Sequence, residues 1–173
     1  MDIIIRKATP NDYEEINHVR RITWLDTYPN QNLDITKEEI EAKFNNMTKE
    51  GHDLWRKSLE ASESSCSWVA TNNNKIVGFC RARKKRSFNE IGATYILPEY
   101  QGRGMGKLLL TEALSWLGSD KNIHLTVAAY NTRAIRFYEE RGFVKTSKEV
   151  GSKVCQLPFG SIMPECEMVK AAE

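Results

Sequence analysis

Apolar residues come in short bursts along this chain, and the spacing within each burst names the element it predicts. Residues 3–8 (IIIRKA) are an apolar-led run of strand length. Thr9, Pro10 and Asp12 follow with helix-start chemistry: a capping oxygen, a ring whose φ is already helical, and an acid at the positive helix end. Tyr13, Ile16, Val19 and Thr23 then recur at three- and four-residue spacing, so the first helix is expected to end near Trp24. DITKEEIEAKF predicts a second helix with Thr36 and Glu39 in capping-box spacing, and a third short helix surrounds Trp55 and Leu59. After ASESS the period drops to two. SWVA and KIVGFCRAR flank Asn72, Asn73 and Asn74 as a hairpin, KKRSFN makes a turn, and EIGATYIL is a third strand. Gly102 to Gly106 lead into an amphipathic helix with Met105, Leu108, Leu109, Ala113, Trp116 and Leu117 on its apolar side and Gly118 as its stop. Ile123, Leu125, Val127 and Ala129 alternate as a strand. Asn131 caps the helix TRAIRFYEER, Gly142 closes it, and FVKTSKEV and ECEMVK supply the last strands. That order predicts one mixed α/β domain over residues 1–173.

Composition changes this picture mainly by exclusion. A chain of 173 residues is long enough for one domain with a sizeable core. No apolar run approaches the roughly 20 residues of a membrane span. MDIIIRKATPND has no long apolar stretch behind a basic start, so the expectation is a soluble cytoplasmic protein without a secretory signal. A net charge of +2 gives no global attraction to nucleic acid. Locally, Arg81, Arg83, Lys84, Lys85 and Arg86 form a basic run that reads as a solvated hairpin or as a patch for RNA, ribosome or an acidic protein. Cys66, Cys80, Cys155 and Cys166 lack CxxC spacing, which fits free thiols in a reducing compartment. His18, His52 and His124 share no spacing with cysteines or carboxylates, so no metal is assigned.

The stretch LPEYQGRGMGK, residues 97–107, carries the candidate chemistry. Glycines before a helix let main-chain N–H groups close on an anion, and the helix adds its positive end. Spacing decides which phosphate ligand. The P-loop pattern would need a glycine at Gln101, and the dinucleotide pattern would need one at Lys107 or Leu109, so both fail. What remains is Gln101-x-x-Gly104-x-Gly106, preceded by YILPEY, followed by KLLL, and joined downstream by NTRAIRFYEERGF at residues 131–143.

These two segments together resemble the acetyl-coenzyme A site of the GNAT N-acetyltransferases, and the resemblance is good over residues 68–145. It implies an α/β fold whose central sheet is mixed, mostly antiparallel and splayed in the middle, with helices on both faces. It also implies that Gln101, Gly102, Arg103, Gly104, Met105, Gly106 and Lys107 surround the pyrophosphate of acetyl-coenzyme A. Ile96 and Leu97 would pair with the pantetheine arm, Asn131 would touch it, and an amide at the splay would face the thioester carbonyl. Asn131 as a plain helix cap is an equally good reading and is compatible with the first. Direct attack by an amine poses two proton problems, because a lysine-type amine has a pKa of ~10.4 and is almost wholly protonated at neutral pH. The resemblance places Tyr138 as the acid for the leaving sulfur and Glu90 as the base acting through water. A packed core aromatic and a solvated strand-end glutamate are their respective alternatives.

The acceptor side follows from the same resemblance. Its wall would be TWLDTYPNQNLD, residues 23–34, where Trp24 and Tyr28 either stack on the acceptor or serve as core and rim. TW-x-DTY followed by an acidic helix resembles, loosely, a polyamine-acetylating branch. Asp34, Glu38, Glu39 and Glu41 suit a cationic acceptor, or else a solvated helix start. The basic run pulls the other way, toward a protein N-terminal or lysine acceptor. A small amine such as a polyamine is the leading expectation. A domain that binds acyl-coenzyme A without turnover is the alternative, and pairing into a homodimer is common in the family.

Overall fold

The structure is a computed structural model and describes residues 2–146 and 153–173. An eight-stranded sheet forms its centre. In chain order the strands are β1 (Ile3–Lys7), β2 (Ser65–Asn72), β3 (Lys75–Lys84), β4 (Asn89–Ile96), β5 (Ile123–Ala128), β6 (Val144–Lys145), β7 (Lys153–Gln156) and β8 (Ile162–Lys170). The helices are α1 (Tyr13–Thr27), α2 (Lys37–Asn45), α3 (Lys49–Lys57), α4 (Met105–Leu117) and α5 (Thr132–Glu139). Spatial order is β1-β2-β3-β4-β5-β8-β6, with β7 also on β8. Every pairing is antiparallel except β4 with β5.

The β4–β5 pairing is short. Only Asn89↔Ile123, Glu90↔His124 and Ile91↔Leu125 face each other before the strands part. The cause lies in the next residue. On the other side of β4, Ala82 pairs with Ile91 but Arg81 pairs with Ala93, so Gly92 is an extra, unpaired residue. Such a bulge bends its strand and increases local twist. A β-carbon at Gly92 would also sit 3.3 Å from Arg83 Nη1. The sheet therefore opens where β4 carries its bulge.

Alternation along β3 puts different helices on the two faces. A β-carbon at Gly78 would point at Leu109 of α4, 3.1 Å from its Cδ1, whereas the next ring, Phe79, packs on Trp55 of α3 at 5.8 Å between centroids. The larger core cluster joins Ile16 and Val19 of α1, Phe79 and Cys80 of β3, and Leu109 and Leu110 of α4, all at most 1% exposed. Fully burying such a side chain contributes ~1.5–3 kcal/mol. A second cluster, built on Trp24, Ile35, Ile40, Phe44, Leu157 and Met163, lies under the β7–β8 turn.

Several expectations need correction. The first helix runs on to Thr27, and Thr9 opens a short 3-10 turn before it. On α4 it is Leu110, not Leu108, that is buried, and Leu108 is 48% exposed. The buried stripe follows Met105, Leu109, Ala113 and Leu117 at four-residue spacing, and Leu108 falls outside it. Thr36 caps α2 by accepting from the Glu39 N–H at 3.1 Å, but the Glu39 carboxylate goes elsewhere. It is 1% exposed and accepts the N–H groups of Phe159 and Ser161 at 2.8 and 3.2 Å, holding the β7–β8 turn. Of FVKTSKEV, Val144–Lys145 is strand and residues 147–150 lie outside the described residues. The hairpin partner β7 was not expected at all.

Candidate active site

The end of β4 and the loop after it build the site. Gly102 and Gly104 sit at φ +76° and +84°, a region closed to most side chains, and Gly104 is the N-cap of α4. A β-carbon on Gly104 would meet nothing within 4 Å, so the loop faces open space with its main chain. Gly106 is tighter, since a β-carbon there would lie 3.3 Å from the Phe137 ring. Gln101 braces the loop by donating Nε2–H to the Ile96 carbonyl at 2.9 Å and accepting from Arg133 Nη1. Arg133, which the sequence reading passed over, thereby reaches over the loop, with its Nη2 3.9 Å from where a Gly102 β-carbon would be. A cleft of about 590 Å³ runs along this loop, lined by Ile96, Gln101, Gly102, Gly104, Met105, Gly106, Lys107, Asn131, Arg133 and Tyr138 among others. Main-chain amides, a helix start and two cations form a cradle that fits a pyrophosphate.

A second cavity of about 190 Å³ occupies the gap between β4 and β5. It shares Tyr28, Thr94, Tyr95, Asn131, Ala134 and Tyr138 with the first, so the two adjoin at those residues. Tyr138 is 8% exposed and packed edge-on between Phe137 and Phe143, at 5.1 and 5.6 Å. Burial pushes its phenol well above the usual tyrosine value, and a hydrogen bond with Thr94 offsets that only in part. Thr94 Oγ1 is in turn 3.5 Å from Cys80 Sγ, whose thiol burial pushes up to about 12. Cys80 thus stays protonated and is no nucleophile.

The other expected residues divide. Asn131 caps α5, its side chain accepting the Ala134 N–H at 3.0 Å, and also lines both cavities. Trp24 and Tyr28 pack edge-to-face at 4.6 Å and both line the gap cavity. Trp24 is 8% exposed, so it is as much core as wall. Glu90 lines the same cavity, yet its carboxylate is engaged by Arg83 at 3.2 Å and Lys85 at 3.6 Å. Leu97 is corrected: its N–H donates to the Val77 carbonyl at 2.9 Å and it lines neither cavity. Because that amide points to β3, alternation turns the main-chain groups of Ile96 and Thr94 toward the gap. The Arg103 side chain also lines neither cavity and lies 5.9 Å from the Tyr100 ring. Glu165, missed by the sequence reading, is a second carboxylate on the gap cavity, placed there by β8 pairing with β5 at Ala128.

Comparison with known proteins follows the same geometry. The model of the Acetyltransferase (GNAT) family matches residues 32–143. The chain belongs to that family. GNAT acetyltransferases use acetyl-coenzyme A. A mycothiol acetyltransferase of Acidimicrobium ferrooxidans is 33% identical over 100 residues, 54% of this chain and 32% of the relative. A spermidine N(1)-acetyltransferase of Vibrio cholerae is 42% identical over 53 residues, 29% of this chain and 31% of the relative. The chain thus spans about a third of the length of each. A PaiA N-acetyltransferase from Thermoplasma acidophilum, solved in complex with coenzyme A, has the same fold. Its TM-score is 0.78 over 99% of both chains, at 24% identity. The GNAT fold accounts for the mixed, mostly antiparallel sheet and the helices on its two faces. Among the described residues no cluster of three metal-ligating side chains occurs and no helix is long and apolar enough to cross a membrane.

Proposed function

We propose that this protein is an N-acetyltransferase that moves an acetyl group from acetyl-coenzyme A to a primary amine by direct attack on the thioester. The observation that carries the reading is the meeting of the two cavities at Tyr138, between strands that have parted. Acetyl-coenzyme A supplies the activated acetyl group. Main-chain amides of residues 102–107, with Lys107 and Arg133, hold its phosphates. Thr94 presents main-chain groups to the pantetheine arm and Ile96 its N–H, the Ile96 carbonyl accepting from Gln101 and Thr23, and Asn131, whose cap bond uses Oδ1, keeps Nδ2 for the same arm. Glu90 or Glu165 takes the proton of the amine through water, which the amine must lose before it can attack.

Tyr138 donates its phenol proton as a hydrogen bond to the departing sulfur. Against a thiol of pKa ~8.5 in water, complete transfer from so weak an acid runs uphill. The same dry surroundings that raise the phenol also disfavour a thiolate, which brings the two closer. The test is thiol release from acetyl-coenzyme A with Tyr138→Phe beside the wild type, against spermidine, peptides with free N-termini and lysine-ended peptides. Loss of about 10²-fold or more in kcat with unchanged affinity for coenzyme A is the expected outcome. Equal rates would remove Tyr138 from the chemistry, and coenzyme A binding without turnover of any amine would favour a binding module.

Similarity to a spermidine acetyltransferase makes a polyamine the second acceptor reading. Two of the four acids expected to attract it are engaged elsewhere, Glu39 with the β7–β8 turn and Glu41 with Arg21.

A further inference from the structure

Two carboxylates line the gap cavity, Glu90 and Glu165, and both interact with neighbours. Their places along the gap separate them. Glu90 is still inside the paired stretch of β4 and β5, opposite His124 and one residue before the last pair, Ile91 with Leu125. Its carboxylate lies between Arg83 at 3.2 Å and Lys85 at 3.6 Å, so it ties the β3–β4 hairpin together at the closed end. From that last pair the two parallel strands run on side by side, and Thr94 and Ala128 are each three residues further, roughly 10 Å along the gap. Ala128 in turn pairs with Glu165 of β8. Glu165, Ala128 and Thr94 therefore share one level at the open end, where the two cavities adjoin at Tyr28, Thr94, Tyr95 and Tyr138.

Charge follows the same division. Burial raises the phenols of Tyr28 and Tyr95, and repulsion from the Glu165 carboxylate adds to both. The Glu90 carboxylate acts instead on Arg81. Sidedness completes the picture. Met163 is two residues before Glu165, on the same face of β8, and packs in the cluster that holds Trp24 of α1. Tyr95 packs against that cluster too, whereas its neighbour Thr94 turns to Tyr138 of α5. An amine beside Glu165 thus meets the thioester from the α1 side, and Tyr138 meets the sulfur from the α5 side.

Resting on the transferase reading, we propose that Glu165, and not Glu90, is the proton acceptor for the attacking amine. The ammonium gives one proton to the Glu165 carboxylate through water. The freed lone pair forms the C–N bond at the thioester carbon while the C–S electron pair passes to sulfur. The second proton of the nitrogen ends on the sulfur, with the Tyr138 hydroxyl hydrogen-bonded to it, and Glu165 returns its own proton to solvent.

Thiol release from acetyl-coenzyme A by Glu165→Gln, Glu90→Gln and the wild type, over pH 6–10 and against the same amines, tests this. Glu165→Gln should lose about 10²-fold or more in kcat/KM at pH 7, carried by kcat, and Glu90→Gln should stay within about threefold of wild type. The Glu165→Gln deficit should shrink as pH rises toward the pKa of the amine, which then arrives already deprotonated. The other ionisable groups around Glu165 are Tyr28, Tyr95 and Tyr138 on the cavities, Lys153, its register partner on β7, Cys155 on the same strand, Lys43 of α2 and Glu167 of β8. Recovery that follows the pKa of the amine as acceptors are exchanged separates the role of Glu165 from titration of these groups. Unchanged affinity for coenzyme A, by calorimetry, shows that a variant is folded. If Glu165→Gln fails that check, Glu165→Asp replaces it under the same criteria. A Glu165 variant within threefold of wild type at pH 7, a deficit confined to KM or equal at every pH, or a larger loss in Glu90→Gln would overturn the proposal and leave acetyl transfer standing. A wild type that releases thiol with no amine overturns both.

Discussion

Tyr138 shows how one environment sets both the use and the limit of a side chain. Its phenol is enclosed by Phe137 and Phe143, so burial holds the proton on well above the usual tyrosine range. The acid form is the one that assists the sulfur, and it is lost only when pH rises past that raised value. We therefore expect kcat/KM to climb with pH as the amine deprotonates and to show no falling limb below about pH 10, where an unperturbed tyrosine would begin to ionise. A pH–rate profile of the wild type checks this, and a descending limb near pH 9 would assign that proton to another group. The motif position identified Tyr138 as a residue of interest. Its neighbours Thr94 of β4 and Cys80 of β3 became visible only in the folded chain.

At the scale of elements, one carboxylate joins two that are far apart in sequence. Glu39 on α2 accepts the Phe159 and Ser161 amides, 120 and 122 residues away, and Ser161 Oγ donates to the Asp34 carbonyl at 2.9 Å. Burial raises the Glu39 pKa, but the hydrogen bonds from the turn outweigh it and leave the group below its ordinary value. A carboxylate lowered in the folded state stabilises above its unfolded pKa, and that increment disappears as pH falls through the folded one. Glu39→Ala should thus cost about 1–3 kcal/mol at neutral pH in urea unfolding. The gap from wild type should narrow below the ordinary glutamate range. Amide exchange at Phe159 and Ser161 should quicken in the same variant, since the turn loses its anchor. Thr36–Glu39 spacing had suggested a capping box. Half of it formed, because the buried Glu39 carboxylate finds two N–H donors in the β7–β8 turn, where the helix start offers it one.

For the whole molecule the decisive feature is the opening between β4 and β5. EIGATYIL does not alternate cleanly, and the bulge at Gly92 explains why: one residue is extra, so the inward and outward positions change places across it. The strand leaves its neighbour there and creates the space in which the two cavities meet. A ligand filling that space should stabilise the fold by mass action. Coenzyme A at about 100 times its Kd contributes ~2.7 kcal/mol, which for a chain of this length raises Tm by roughly 5–10 °C. Calorimetric scans with and without coenzyme A measure it. No shift at saturating concentration would mean that the cleft is not the coenzyme site.

The sequence by itself determined what depends on near neighbours. Periodicity marked the helices and most strands, and the glycines at 102 and 104 marked a loop whose φ angles only glycine takes easily. Paired motifs at 97–107 and 131–143 identified the family. Tertiary structure decided whatever depends on residues distant in the chain. It committed the Leu97 amide to β3, gave the Glu90 carboxylate to Arg83 and Lys85, and brought Glu165 to the cavity through β8. It also packed Arg20 and Arg81 around one indole, neither in an ion pair among the described residues. The physical reason is the same throughout. Backbone propensity and periodicity are local and can be read along a line. Partners for charges and amides are chosen by strand register and by which faces pack together, and those are settled only when the sheet closes on its helices.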